Sequence, residues 1–263
     1  MPIDLPALRA RAAAIAAHFS DPPALLAAVH SLLEDYADRS HRASQKLTDS
    51  APPNALKTPM PVVRAVVTAL RKPVKAEPQA ALVVVKGLWA AGSREERRLA
   101  AELLGLAAPL VPGEALALVE QWLPEIESGE TAAALAEYGF APLLLADPVT
   151  HLRNIQRWVE QPQKWARCFG LAALRVLAKH KTWDNVPGAL DVIASVMGEP
   201  EPEIRKAAAA ALGDLIPKST VEVSRFLREQ AARSNHNTHW IIRAAMLKLP
   251  PEDQADIIKV MRE

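Results

Sequence analysis

Residues Glu203 to Leu215 read Glu-Ile-Arg-Lys-Ala-Ala-Ala-Ala-Ala-Leu-Gly-Asp-Leu, and this stretch decides the fold. Arg205 is followed by Ala208 one turn on, Leu212 two turns on and then Gly213, so one stripe of a helix here is small enough for another helix to lie close. The same spacing recurs. Arg97, Ala100, Leu104 and Gly105 repeat it in full, Arg167, Gly170 and Leu174 repeat most of it, and Arg64 and Arg243 are looser copies. The leading arginines stand 33, 70, 38 and 38 residues apart, and the 70 divides into two periods if a degenerate copy lies near Ala132. A period of this length, holding two helices, marks a stacked helical array: an all-α solenoid of about six to seven helix pairs.

Composition agrees. Half of the 263 residues are apolar, with alanine prominent and aromatics at 5%, which suits closely stacked helices, and no run alternates with the period of a strand. Most of the 22 prolines fall where a helix would begin, a position that does not need their missing N–H. Cys168 is the only cysteine, so no internal disulfide can form and no cysteine pair offers a metal site. With no run of eighteen apolar residues and no leader-like start, the expectation is a cytoplasmic protein, monomeric and without cofactor.

In chain order the signals place a helical hairpin over 1–37, a polar connection over 38–58, and repeats over 59–263, all in a single domain. Thr58 reads as an N-cap for a helix carrying Arg64 and ending near Arg71. Ser93 and Glu96 form a capping box for the helix of Arg97. The degenerate copy, Glu130 to Ala146, is interrupted by Gly139 and Pro142, and a further helix is expected from Thr238.

Net charge is only +1, yet its distribution is uneven. Residues 111–147 hold Glu114, Glu120, Glu125, Glu127, Glu130, Glu137 and Asp147 with no Lys or Arg. Residues 151–181 hold Arg153, Arg157, Lys164, Arg167, Arg175, Lys179 and Lys181 against Glu160 alone. On one face these bases would meet phosphates; dispersed over a solvated outer face they would pair with acidic neighbours. The repeating arginines likewise allow two readings: an internal ladder tying each pair to the next, or, with Arg98, Lys164, Arg175 and Lys206, a row of phosphate contacts.

Three stretches carry a family resemblance. Asn54 to Lys72, Pro148 to Ala173 with Trp158 and then Trp165-Ala-Arg167, and Glu203 to Leu215 resemble the AlkD-type DNA alkylation repair family. The resemblance implies a right-handed stack of HEAT-like helix pairs with duplex DNA on its concave face, and cleavage of the N-glycosidic bond of 3- or 7-alkylated purines. It also implies a Trp and an Asp one turn apart, then a second Trp and an Arg, lining the lesion. A carboxylate there suits the positive charge that develops on the sugar. In this chain those positions are Gly129, Ala133, Ala210 and Gly213, and a further family Arg falls on Cys168, beside Arg167. Glu130 and Glu137 are the only carboxylates between residues 129 and 142.

Three functions follow. The first is binding of duplex DNA, alkylated or not, through Arg153, Arg157, Lys164, Arg167, Arg175, Lys179, Lys181, Arg205 and Lys206, with the glycosylase residues missing. The second is a scaffold for a protein or peptide partner, and the third an active alkylpurine glycosylase using Glu130 or Glu137. Among the other features, His236 and His239 lack a third metal ligand in sequence reach, Cys168 reads as a buried thiol, and Trp183, on a loop, is expected to be the most exposed tryptophan.

Overall fold

The computed structural model of the protein describes residues 3–37, 55–233 and 235–262; the polar connection expected from residue 38 lies outside the described residues as far as 54. Among the described residues every regular element is helical and no strand occurs. The chain forms two compact units, Met1–Gln121 with Tyr138–Pro142, and Trp122–Glu137 with Leu143–Glu263.

In the first unit α1 (Leu5–Ala16) and α2 (Pro22–Asp35) make the N-terminal hairpin, followed by α3 (Met60–Ala76), α4 (Pro78–Ala91), α5 (Arg94–Ala107) and all but the last residue of α6 (Pro112–Trp122). Helices α1, α3 and α5 pack side by side in one row, and α2 packs on α4 in a second. In the second unit α7 (Gly129–Ala134), α10 (Lys164–Lys179), α12 (Pro202–Leu215) and α14 (His236–Met246) form one row. Helices α9 (Pro148–Val159), α11 (Val186–Ala194), α13 (Thr220–Ala231) and α15 (Pro251–Val260) form the other. This two-row packing of alternate helices is what a repeat with one small stripe per unit requires.

Helix starts obey the capping chemistry written in the sequence. Asp4, Asp21, Ser128, Asp147, Asn185 and Ser219 each accept a backbone N–H in the first turn, and Ser93 with Glu96 closes a full capping box. Thr58 is an exception. Its buried hydroxyl donates to the carbonyl of Leu33 at 2.8 Å, fastening the connection to α2, and Pro59 takes the N-cap position. Helix α3 also runs past its expected end, to Ala76 through Pro73. An interior proline costs about 3 kcal/mol; complete burial of Val74 in the turn that follows returns about 2 kcal/mol, and Leu70 is fully buried on the same side. Helix α14 starts at His236, ahead of expectation, because Asn235 caps both Asn237 and Thr238.

The degenerate repeat does not break at Gly139 and Pro142. It widens: Leu135–Phe140 is π-helical and leads directly into α8 (Ala141–Ala146). Pro142 has no N–H to give to the carbonyl of Tyr138 four residues back, so the α-helical ladder cannot continue there, and π turns accommodate such a defect. The Tyr138 carbonyl points at Gly105 of α5, where a Cβ would sit only 2.0 Å from its oxygen. Glycine is required by that approach.

Among the described residues four large aromatics are fully buried, Trp89 and Phe140 in the first unit and Trp158 and Phe169 in the second. Trp158 of α9 meets Phe169 of α10 edge to face at 5.2 Å, and Gly170 lets the two helices close, since a Cβ there would come within 2.7 Å of Val159.

Candidate functional site

The row α10, α12 and α14 leaves one stripe of each helix uncovered. On α10 the partly open positions are Lys164, Trp165, Arg167, Arg175, Val176 and Lys179; on α12 they include Glu203, Lys206, Ala207, Ala210 and Asp214. Helical spacing of three and four residues puts the members of each set on a common side.

The positions that the resemblance assigns to catalysis border this stripe. Gly129 is exposed at the start of α7, and a Cβ there would lie 3.5 Å from the ring of Trp165. Ala133 and Ala210 are half-buried. Gly213 is buried under Lys248, whose side chain passes 3.1 to 3.3 Å from the position of a Cβ. At these four positions the chain carries only hydrogens and methyl groups. Glu130, in the first turn of α7, and Glu137, in the π-helical stretch, are both exposed. Cys168 is buried, and burial pushes its thiol up to about 12, Glu203 adding to the effect, so it stays protonated at neutral pH.

Several of the expected bases are engaged with neighbouring side chains and carbonyls. Lys164 lies over the ring of Trp165 at 4.6 Å and near Glu201 and Glu203, at 3.8 and 3.9 Å. Arg167 donates to the carbonyl of Val159 at 3.0 Å and pairs with Glu199. Arg205 donates to Asn237 at 3.0 Å and stacks on Trp240 at 5.1 Å. In the first unit Arg97 stacks on Trp89 at 5.4 Å. Arg97, Arg167 and Arg205 thus make ladder contacts between helices, while Arg64 and Arg243 are exposed. Arg153 and Arg157 are exposed on α9, in the other row, and Lys206 is exposed on α12.

One group of bases converges. Arg175 Nε donates to Asp214 Oδ2 at 2.8 Å, Lys179 Nζ lies 3.8 Å from the same oxygen, and Lys248 Nζ approaches Oδ1 at 3.3 Å. Lys179, Lys181, Asp214, Lys218 and Lys248 line a cleft of about 490 Å³ over Gly213. Lys218 donates to the carbonyls of His180 and Lys181, past the end of α10. Burial works to raise the Asp214 pKa, but the hydrogen bonds and charges of Arg175 and Lys248 outweigh it and hold the carboxyl below its ordinary value.

Asp214, Lys218 and Lys248 were not singled out by motif, although the sequence contains a signal for the lysines. Lys181, Lys218 and Lys248 each fall two or three residues past the end of successive helices in one row, α10, α12 and α14. Cations are favoured there by the partial negative charge of the last carbonyls.

The tryptophans depart from expectation. Trp183 is buried: its backbone N–H donates to the carbonyl of His180 in a turn, and its side chain lines a small pocket with Pro148 and Val149; Trp240 is the most exposed, at 36%. His236 is exposed and His239 Nε2 lies 3.3 Å from the carbonyl of Ala231. Among the described residues no three His, Cys, Asp or Glu side chains are grouped to hold a metal, and no helix is long and apolar enough to cross a membrane.

No curated protein and no solved structure matches the chain. The model of one family does: DNA alkylation repair enzyme, over residues 29–249. That span includes the arginine-led repeats, the π-helical stretch and the lysine cleft, and covers well over half of the sequence. The chain belongs to the DNA alkylation repair enzyme family.

Proposed function

We propose that this protein binds duplex DNA along the open stripe of α10, α12 and α14, as the concave face of a right-handed stack of HEAT-like pairs, and that it does so without the family's base-excision residues. Family membership over residues 29–249 carries the reading. The distribution of charge supports it: Arg175, Lys179, Lys181 and Lys206 stand on or beside that stripe, and cations in a row track a phosphate backbone. The small side chains at Gly129, Ala133 and Ala210 supply neither a carboxylate for a developing sugar cation nor an aromatic wall for an extruded base.

The test has two readouts on the full chain. Titration of a fluorescent duplex should give an affinity that falls with salt, the slope of log K against log salt corresponding to about three to five phosphates. Methylated DNA incubated with the protein should release neither 3-methyladenine nor 7-methylguanine. Absence of duplex binding at about 25 mM salt would point to the scaffold reading instead. Base release that disappears with Glu130→Gln or Glu137→Gln would show that one of those exposed carboxylates has taken over the chemistry.

A further inference from the structure

Five cations gather at the end of the α10, α12, α14 row, and three of them converge on one carboxylate. Lys179, Lys181, Lys218 and Lys248 line the cleft, and Arg175 reaches Asp214 from α10. Asp214 cannot satisfy them all. It presents two oxygens, and only Arg175 lies at the distance of a strong charge-assisted hydrogen bond; the Lys248 and Lys179 amines stand off at 3.3 and 3.8 Å. Lys218 has turned to the carbonyls past α10, which offsets the negative end of that helix and leaves the cleft positive. The architecture admits this crowding because Gly213 has no side chain: Lys248 lies across α12 where a Cβ would crowd it.

We propose that the cleft is a phosphate-binding site in which the Asp214 carboxylate holds the anion's place until a phosphate group displaces it. A phosphate offers more acceptor oxygens than a carboxylate and equal or greater charge, so Arg175, Lys179 and Lys248 can be satisfied together, each from a different direction. Asp214 then swings out of the cluster toward solvent. Its presence lowers affinity in exchange for stability of the free protein, because two cations of α10 and one from just past α14 would otherwise repel one another. The phosphate comes either from a nucleic-acid backbone or from a small phosphorylated molecule. The backbone case rests on the function proposed above; the site itself does not.

The experiment uses the full chain at constant ionic strength, with inorganic phosphate measured by calorimetry and a fluorescent duplex by anisotropy. Asp214→Asn is compared with Asp256→Asn, which removes the same charge from an exposed position on α15. Removing the competing carboxylate should tighten phosphate about 3- to 10-fold beyond the Asp256→Asn control, and Lys248→Met should weaken it by a similar factor. If the duplex follows the same order, with the salt slope steeper by about one in Asp214→Asn, the ligand is a backbone phosphate. A response to inorganic phosphate alone assigns the site to a small phosphorylated molecule, and it leaves the site standing even where the wild type fails to bind duplex. Equal behaviour of Asp214→Asn and Asp256→Asn toward both ligands overturns the proposal and makes Asp214 a strut between helices. Should Asp214→Asn not fold, Lys248→Met and Lys179→Gln interrogate the same site from its cationic side: unchanged phosphate affinity in both would overturn it equally.

Discussion

At Lys57 the backbone takes φ 60°, the only positive value outside glycine among the described residues. The N–H groups of Leu56 and Lys57 both donate to the buried Glu95 carboxylate, each at 3.0 Å, and this pair of charge-assisted bonds sustains the conformation. The Lys57 amine itself is buried without a hydrogen-bond partner. Both features cost free energy, so Lys57→Gly should stabilise the protein by about 1 kcal/mol, a rise of about 2 to 3 °C in Tm by calorimetry. Asp214 gives a pH-dependent counterpart. Its folded pKa lies below the ordinary 3.8, so the folded state holds fewer protons, and its contribution to stability is complete above that value and disappears as pH falls through the folded pKa. Urea unfolding of the wild type and Asp214→Asn should therefore differ most near neutrality and converge as the pH falls below about 3.8. Neither residue was legible in the sequence. A lysine gives no sign of left-handed backbone, and Asp214 gains its meaning only when Arg175 and Lys248 come together from positions 39 and 34 residues away.

Helix starts, by contrast, were legible almost to the residue, because a cap is a local interaction: Ser93 and Glu96 need only each other and the backbone between them. The π-helical stretch was not. Gly139 and Pro142 announce a disturbance, but whether the chain breaks or widens depends on α5, where Gly105 accepts the Tyr138 carbonyl at close range. Three glycine substitutions rank these contacts. Gly105→Ala should cost about 3 kcal/mol or more, because a backbone oxygen 2.0 Å from the new methyl cannot yield without unseating the π turn. Gly170→Ala should cost about 1 to 3 kcal/mol, since the Val159 methyl at 2.7 Å has limited room to shift. Gly113→Ala, with nothing within 4 Å, should be neutral or stabilising by up to about 1 kcal/mol through helix propensity. Denaturant midpoints of the three variants give the order directly.

Across the whole molecule, repetition made the architecture readable: an arginine, a small residue and a leucine at fixed spacing dictate which side of each helix is buried, wherever the copy occurs. The candidate interface was readable only as a regional excess of charge. Arg153 and Arg157 belong to that excess but stand on α9, in a different row from Arg175 and Lys179. Duplex affinity should therefore drop several-fold in Lys179→Ala and Lys206→Ala and change little in Arg153→Ala, as anisotropy at about 50 mM salt would register. The lone thiol has a use of its own. Cys168 sits inside α10, within the row of α7, α10, α12 and α14, sealed and protonated, so a disulfide reagent has nothing to attack until that helix parts from its neighbours. Nature has installed one stopwatch and no competing ones: the colour released per minute measures how often the repeat breathes, and a ligand that clamps the row must slow the clock.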